Sequence, residues 1–177
     1  MLQKCKLYSV IMPVHNIPPV YNEKSLCLVL GSFPSVKSRS SGFFYGHPRN
    51  RFWCMIAAVA GEPVPQTTEE QKSILLHHGI ALWDVLESCE IKGSADSSIK
   101  AAVPNDIGSI LNGTGIKIIF LNGNTAWRFY NIYIAPSVKI PAVKLPSTSP
   151  ANASYTLDML VNEWGKNLKP YMLLQRE

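Results

Sequence analysis

An unbroken apolar run over residues 26–30, Leu-Cys-Leu-Val-Leu, stopped at once by Gly31, constrains this chain more than any other stretch. A strand with one wet face alternates apolar and polar side chains, whereas one apolar at every position is buried on both faces, as in a parallel sheet. The segment after Gly31 is too long and too varied for an ordinary strand-to-helix turn. It holds Gly42 and Gly46, Pro34 and Pro48, a scatter of serines, Lys37 and Arg39, and the aromatic cluster Phe43-Phe44-Tyr45. A helical pattern resumes only near Arg51. Long loops at the carboxyl end of a parallel strand are where open α/β sheets hold ligands. The functional site is expected here.

The remaining elements alternate in type. Phe52, Trp53, Ile56, Ala57 and Ala60 fall at helical spacing over residues 50–60, and Gly61 with Pro63 stops that helix. Thr67 or Thr68 caps the next, with Glu69 and Glu70 in its first turn and Gly79 past its end. Residues 80–85 form a short apolar run leading into an acidic corner at Asp84. A brief helix starts at Asn105 or Asp106 and runs through Ile110, and residues 116–121 read as a buried strand. Asn122-Gly123-Asn124-Thr125 then forms a turn and cap for a helix over 126–133; residues 139–145 make the fourth strand and 154–168 the closing helix. With no hairpin signal, the pattern predicts a three-layer α/β/α sandwich around a mostly parallel four-stranded sheet. Residues 1–24, with Pro13, Pro18 and Pro19, read as an irregular segment laid across the surface of a single domain spanning 1–177.

Composition narrows the function. At 46% hydrophobic and 16% charged residues, the chain can fold as a compact soluble globule without staples. No apolar run approaches the ~20 residues that span a bilayer, and no secretory signal is expected at the N-terminus. Cys5, Cys27, Cys54 and Cys89 are scattered, which points to reduced thiols in a cytoplasmic compartment. Neither a dinucleotide fingerprint nor a phosphate loop occurs, nor His-x-x-x-His, nor a Gly-x-Ser-x-Gly elbow, so no cofactor or metal is indicated. The net charge of +5 permits a nucleic-acid partner. Its distribution says more than its size: Lys37, Arg39, Arg49 and Arg51 share a segment without Asp or Glu.

Two motifs carry a resemblance that extends over nearly the whole chain. Gly31-Ser32-Phe33-Pro34-Ser35 with Gly42-Phe43-Phe44-Tyr45-Gly46-His47-Pro48-Arg49-Asn50-Arg51-Phe52-Trp53 resembles the first motif of the uracil-DNA glycosylase superfamily, in the form of its hypoxanthine-DNA (deoxyinosine) glycosylase branch. Lys144-Leu145-Pro146-Ser147-Thr148-Ser149-Pro150-Ala151-Asn152 is similar to the second motif, at about the family's separation. The resemblance implies a monofunctional DNA glycosylase acting on double-stranded DNA that contains a deaminated base, most simply hypoxanthine. It would be a monomer without cofactor, cytoplasmic, and nucleoid-associated in a prokaryote. The rival readings are a uracil or mismatch glycosylase, and a non-catalytic DNA- or nucleotide-binding α/β domain. The last is kept open because Phe33 stands where many members have Asn or Asp, and residues 145–147 lack the usual His.

Hydrolysis of an N-glycosidic bond needs a placed water and stabilisation of a departing base. Asn50 can hold a water or hydrogen-bond the base, and it is the position on which the hypoxanthine branch relies; Asn is equally a good helix cap. His47 can donate to the leaving base or merely fix a loop carbonyl. Tyr45 occupies the place where relatives stack an aromatic ring on the flipped base, while Gly31 and Gly46 let backbone N–H groups approach a ligand. Ser32, Phe33 and Asn122 complete the expected substrate-binding set, though Asn122 serves as well for capping. Lys37, Arg39 and Arg49, with Ser147, Thr148, Ser149 and Pro150, form the expected DNA-binding set, the second loop acting as a wedge in the minor groove or else as a Ser-capped turn. Arg51 can contact phosphate or pair with an acid such as Asp84.

Overall fold

The structure, a computed structural model, describes residues 14–91 and 99–173. In chain order its elements are β1 (Cys27–Gly31), α1 (Val36–Ser41), α2 (Phe52–Ala60), α3 (Thr68–His77), β2 (Ile80–Asp84), β3 (Leu86–Glu90) and β4 (Lys100–Pro104). They continue as α4 (Ile107–Asn112), β5 (Ile118–Asn122), α5 (Asn124–Tyr133), β6 (Ala142–Leu145) and α6 (Leu157–Leu168), followed by a 3₁₀ turn at Lys169–Tyr171.

β1 is buried along its whole length because it lies inside a parallel sheet of order β2-β1-β5-β6. Alternate residues serve different layers. Cys27 and Val29, with Leu82 and Phe120, pack under α2, α3 and α6, where Phe52, Leu75 and Trp164 are fully buried. Leu28 and Leu30, with Ala81, Ile119 and Leu121, face the opposite way toward α4 and α5 through Ile107, Ile110 and Phe129. At about 1.5–3 kcal/mol for each large side chain removed from water, these two cores supply the main driving force. The three-layer α/β/α arrangement is therefore as expected.

The sheet order has a consequence for function. From β1 the chain crosses to β2 on one side, whereas from β5 it crosses to β6 on the other. The direction reverses between β1 and β5, and a crevice opens outside their carboxyl ends, Gly31 and Asn122.

Several boundaries obey local chemistry. Thr67 caps α3 in a full capping box with Glu70, Asp106 caps α4 and Thr156 caps α6. Two elements depart from expectation. The basic loop contains a helix, α1, which its Ser-rich sequence disguises; Ser35 caps one end, and Gly42 closes the other in the left-handed region at φ 71°. The absence of a hairpin signal also misled, because β3 and β4 pair antiparallel as a second, two-stranded sheet with irregular register. Their pairing is not announced by a two-residue turn, and residues 92–98 of the connection lie outside the described residues.

Of the N-terminal segment, residues 14–24 are described; residues 1–13 of the expected irregular stretch, and Cys5 with them, lie outside that range. Val20 and Leu82 exchange backbone hydrogen bonds of 2.9 and 2.8 Å, covering the outer edge of β2. Upstream, His15 is buried, its Nε2 donating to Leu86 O at 2.8 Å while Nδ1 has no hydrogen-bond partner. Burial holds this imidazole below its ordinary value, opposed by the Leu86 carbonyl. The folded state thus resists a proton that the unfolded chain accepts, so stability contributed by neutral His15 is present above about pH 6.5 and is lost as pH falls. Urea midpoints measured at about pH 7.5 and 5.5 should drop more steeply for wild type than for His15→Gln. Equal drops would remove His15 from the acid sensitivity.

Candidate active site

The crevice is a cleft of about 610 Å³. Its lining brings the two motifs together: Gly31, Ser32 and Phe33 from the end of β1, Lys37 from α1, Tyr45, His47 and Asn50 from the loop between α1 and α2, and Asn122 from β5. Ser147, Thr148, Ser149 and Pro150 close the other side. Twelve of the residues singled out from sequence therefore share one cavity. Gly46, Arg39 and Arg49 are not among its walls.

Arg51 holds the two motifs to each other. Its main-chain N–H and Nε both donate to Thr148 O, at 3.1 and 3.3 Å. Nη2 donates to Ser149 O at 2.6 Å and Asn152 O at 3.0 Å, and Nη1 to Tyr155 O. An ion pair with Asp84 was one expectation; the guanidinium is instead spent on four carbonyls of the 148–155 loop. A planar fork of five donors suits this task and a lysine ammonium does not.

A second link runs through β5. Asn122 Nδ2 donates to Tyr45 Oη and to Thr148 Oγ1, each at 3.0 Å, and its Oδ1 accepts from Thr148 N at 3.0 Å. Both amide N–H groups are thereby committed, so Asn122 positions the cleft walls more than it greets a ligand. Thr148 is wholly buried. The expectation that it contacts DNA is corrected: no phosphate reaches a hydroxyl with no exposed surface. Gly123 allows the same approach, for its φ of 94° suits glycine and an added methyl would lie 2.7 Å from Ser147 Cβ.

Tyr45 has a positive φ of 54°, uncommon for a non-glycine residue. Its ring stacks on Phe52 with centroids 4.0 Å apart, leaving only the opposite face for a base. Burial, and next the nearby Asp84 carboxylate, drive its hydroxyl well above the usual phenol range, with the Asn122 hydrogen bond opposing them. Phe52 meets Trp164 edge-on, and Trp164 Nε1 donates to Pro146 O at 2.9 Å, so an aromatic chain repeats the connection made by Arg51.

Asn50 lies one residue before the cap position of α2, which is Arg51. Its Oδ1 accepts from Phe52 N at 3.0 Å, so part of the cap reading holds. A carboxamide oxygen has a second lone pair and Nδ2 carries two donors, which leaves capacity for a water and a ligand atom. His47 Nδ1 accepts from Arg49 N at 3.1 Å and His47 O from Asn50 N at 2.8 Å. The ring thus organises the turn that presents Asn50; in the neutral tautomer that bond requires, Nε2 carries the proton.

Other expectations shift. Gly46 N–H is taken by Ser38 Oγ at 3.0 Å and does not face the cleft, correcting the ligand-approach reading. Gly31 has a different purpose too: an added methyl would lie 2.2 Å from Asp84 Oδ1 and 3.2 Å from Tyr45 Oη, so its missing side chain is what admits the Asp84 carboxyl. Arg39 Nη1 donates to Pro34 O at 2.7 Å, and its guanidinium lies 5.2 Å from the Phe33 ring centroid, which makes it a brace for the cleft wall. Lys37 and Arg49 are exposed. Sequence reasoning undervalued Asp84, only 4% exposed yet lining the cleft. The signal was present: a carboxylate ends an apolar run at the carboxyl edge of a parallel strand, where open α/β sheets hold ligands.

Replacing Arg51 should damage the site by releasing the second loop. Arg51→Ala is expected to lose at least about 2 kcal/mol of stability, given four stranded carbonyls, with Arg51→Lys recovering only part of it. Urea denaturation of the three proteins checks this, and an Arg51→Ala midpoint equal to wild type would deny the clamp any energetic weight.

Comparison with known proteins places these features in context. Residues 18–169 match the family model described as the uracil DNA glycosylase superfamily. The chain is 31% identical over 151 residues to a protein of Methanosarcina acetivorans named hypoxanthine DNA glycosylase, covering 84% of this chain and 94% of that one. A protein of the same name from Methanosarcina barkeri is 31% identical over 121 residues, 67% of this chain and 76% of its own. A solution NMR structure from M. acetivorans, described as a candidate uracil DNA glycosylase, superposes with a TM-score of 0.76 at 28% identity, over 89% of this chain and 97% of that one.

Proposed function

The chain belongs to the uracil DNA glycosylase superfamily, and from that premise we propose that it is a monofunctional glycosylase which removes hypoxanthine from deoxyinosine in double-stranded DNA. The observation that carries this reading is the convergence of Asn50, Tyr45 and the second-motif loop on one cleft at the reversal point of the sheet. A glycosidic bond cannot be reached inside the stack, so the nucleotide is extruded at a cost of a few kcal/mol, less for a weakly paired inosine. The extruded base enters between Phe33 and Tyr45. Asn50 orients a water toward the sugar C1′, its Oδ1 accepting one water hydrogen while Nδ2 faces the nucleotide. The C1′–N9 bond breaks with its electron pair leaving on the base, the water oxygen bonds to C1′, and the water proton ends on solvent or base. An amide is too weak a base to do more, and an oxocarbenium-like sugar requires little more. Ser147, Ser149 and the exposed Pro150 stand at the mouth, where the orphaned strand would lie.

Lyase chemistry requires an amine at C1′. Lys144 is not among the walls of the cleft that holds Asn50; it lines an adjoining one beside the start of α5. Borohydride should accordingly trap no enzyme–DNA adduct during turnover.

Asn50→Ala should slow excision at least ~100-fold, the loss typical of one oriented polar group at a transition state, with duplex binding retained. Single-turnover cleavage of duplexes bearing inosine, uracil or xanthine, developed with alkali, measures it. Equal rates in wild type and variant would return Asn50 to a purely structural role, and cleavage of uracil in preference to inosine would redirect the substrate reading.

Salt dependence locates the DNA. Because Arg39 and Arg51 are occupied internally, Lys37 at the cleft wall is the cation most available to phosphate. Lys37→Ala should flatten the slope of log affinity against log salt by about 0.9, alike for damaged and normal duplex. An unchanged slope would place the DNA on another face.

A further inference from the structure

Asp84 has no part in the hydrolysis by Asn50 and water, yet the fold takes trouble to place it. Its main-chain carbonyl is fixed by Asn105 Nδ2 at 2.9 Å, while the adjoining Val85 N donates to Gly31 O at 2.9 Å. The side chain turns into the cleft against the bare Cα of Gly31, beside Tyr45 Oη, at 4% residual exposure. Removing a carboxyl group from water is costly, and one placed at the floor of a ligand cleft is in position to accept from a donor on the ligand. Deep in this cleft the ligand presents the edge of a base.

We propose that Asp84 is the specificity-determining residue of the cleft, its carboxylate accepting the ring lactam N–H of a 6-oxopurine such as hypoxanthine. This deepens the reading of the chain as a deoxyinosine glycosylase and rests on it. Hypoxanthine carries hydrogen on N1, beside O6. Adenine carries a lone pair at N1, which a carboxylate repels, so one group both attracts the deaminated base and turns away its parent. The discrimination is chemical and not steric: adenine and hypoxanthine differ little in size, and a wall of apolar side chains would scarcely distinguish them, whereas a buried polar group left without its partner penalises the wrong ligand heavily. Asp84 does not separate hypoxanthine from guanine, since both bear N1–H; that task falls to cleft shape.

Two arms test the assignment. In the first, binding of free hypoxanthine, 1-methylhypoxanthine or adenine to wild-type protein is measured directly by calorimetry, and each base is also scored as an inhibitor of inosine DNA cleavage. Hypoxanthine should bind about 10–100-fold more tightly than either of the others, the range expected for one hydrogen bond to a charged group. In the second, Asp84→Asn, whose amide can face either N1–H or a bare N1, should narrow the ratio of inosine to adenosine excision by at least ~10-fold. Equal binding of hypoxanthine and 1-methylhypoxanthine would overturn the proposal without recourse to any variant that might misfold, and so would an unchanged excision ratio in folded Asp84→Asn. Wild-type protein that binds hypoxanthine but leaves inosine DNA intact would sink the glycosylase reading while the N1–H preference still decides this one. If it neither binds hypoxanthine nor cleaves inosine DNA, both fall.

Discussion

Everything at the carboxyl edge of the sheet depends on how the Arg51 guanidinium is satisfied. A part-buried cation would ordinarily seek a carboxylate; this one is met by the carbonyl dipoles of Thr148, Ser149, Asn152 and Tyr155. Dipoles leave the net positive charge in place. They also need a loop curled around the cation so that successive carbonyls point inward, and that curl is the shape of the second motif. The residue next to Asn50 thus fixes the wall opposite Asn50, so the two halves of the cleft are positioned by adjacent side chains of one loop.

The remaining links are shorter and neutral. Asn122, at the end of β5, uses its amide to bind Thr148 on one side and Tyr45 on the other. Because β5 is paired on both edges, by β1 and β6, this amide stands on the stiffest backbone available. Phe52, stacked on Tyr45 and edge-on to Trp164, adds an apolar version of the same connection. Cation, amide and aromatic chain each join the first motif to the second. Preorganisation of this kind suits a reaction in which a weak group, an amide, must place a water without rearranging at the moment of bond breaking.

The basic residues divide by surroundings, not by proximity in sequence. Arg51 clamps a loop, Arg39 braces Phe33, and Lys37 and Arg49 remain exposed. A cation engaged with carbonyls and an aromatic face contributes to the field around the cleft but releases few counterions when DNA arrives. The charge count of the segment therefore overstates the number of phosphate contacts it can make.

The sequence by itself determined the layered α/β class, most helices and strands, and the loop that houses the site. Those features are local: runs such as 26–30 and 116–121, the Thr67–Glu70 capping box and the stops at Gly61 and Gly79 are legible because hydrophobic periodicity and backbone preference act over a few residues. Similarity of the two motifs to a known family pointed to Asn50, Tyr45 and the 147–150 loop, and the cleft does gather them. Tertiary structure alone decided which of these groups remain free to meet a ligand. Whether Thr148 faces DNA or the interior, whether Arg51 meets a phosphate or four carbonyls, and whether Gly31 makes room for a ligand or for Asp84 all depend on partners 26 to 104 residues away. No local preference encodes such pairings, because each hydrogen-bonding group is satisfied by whatever the packed sheet brings within about 3 Å of it.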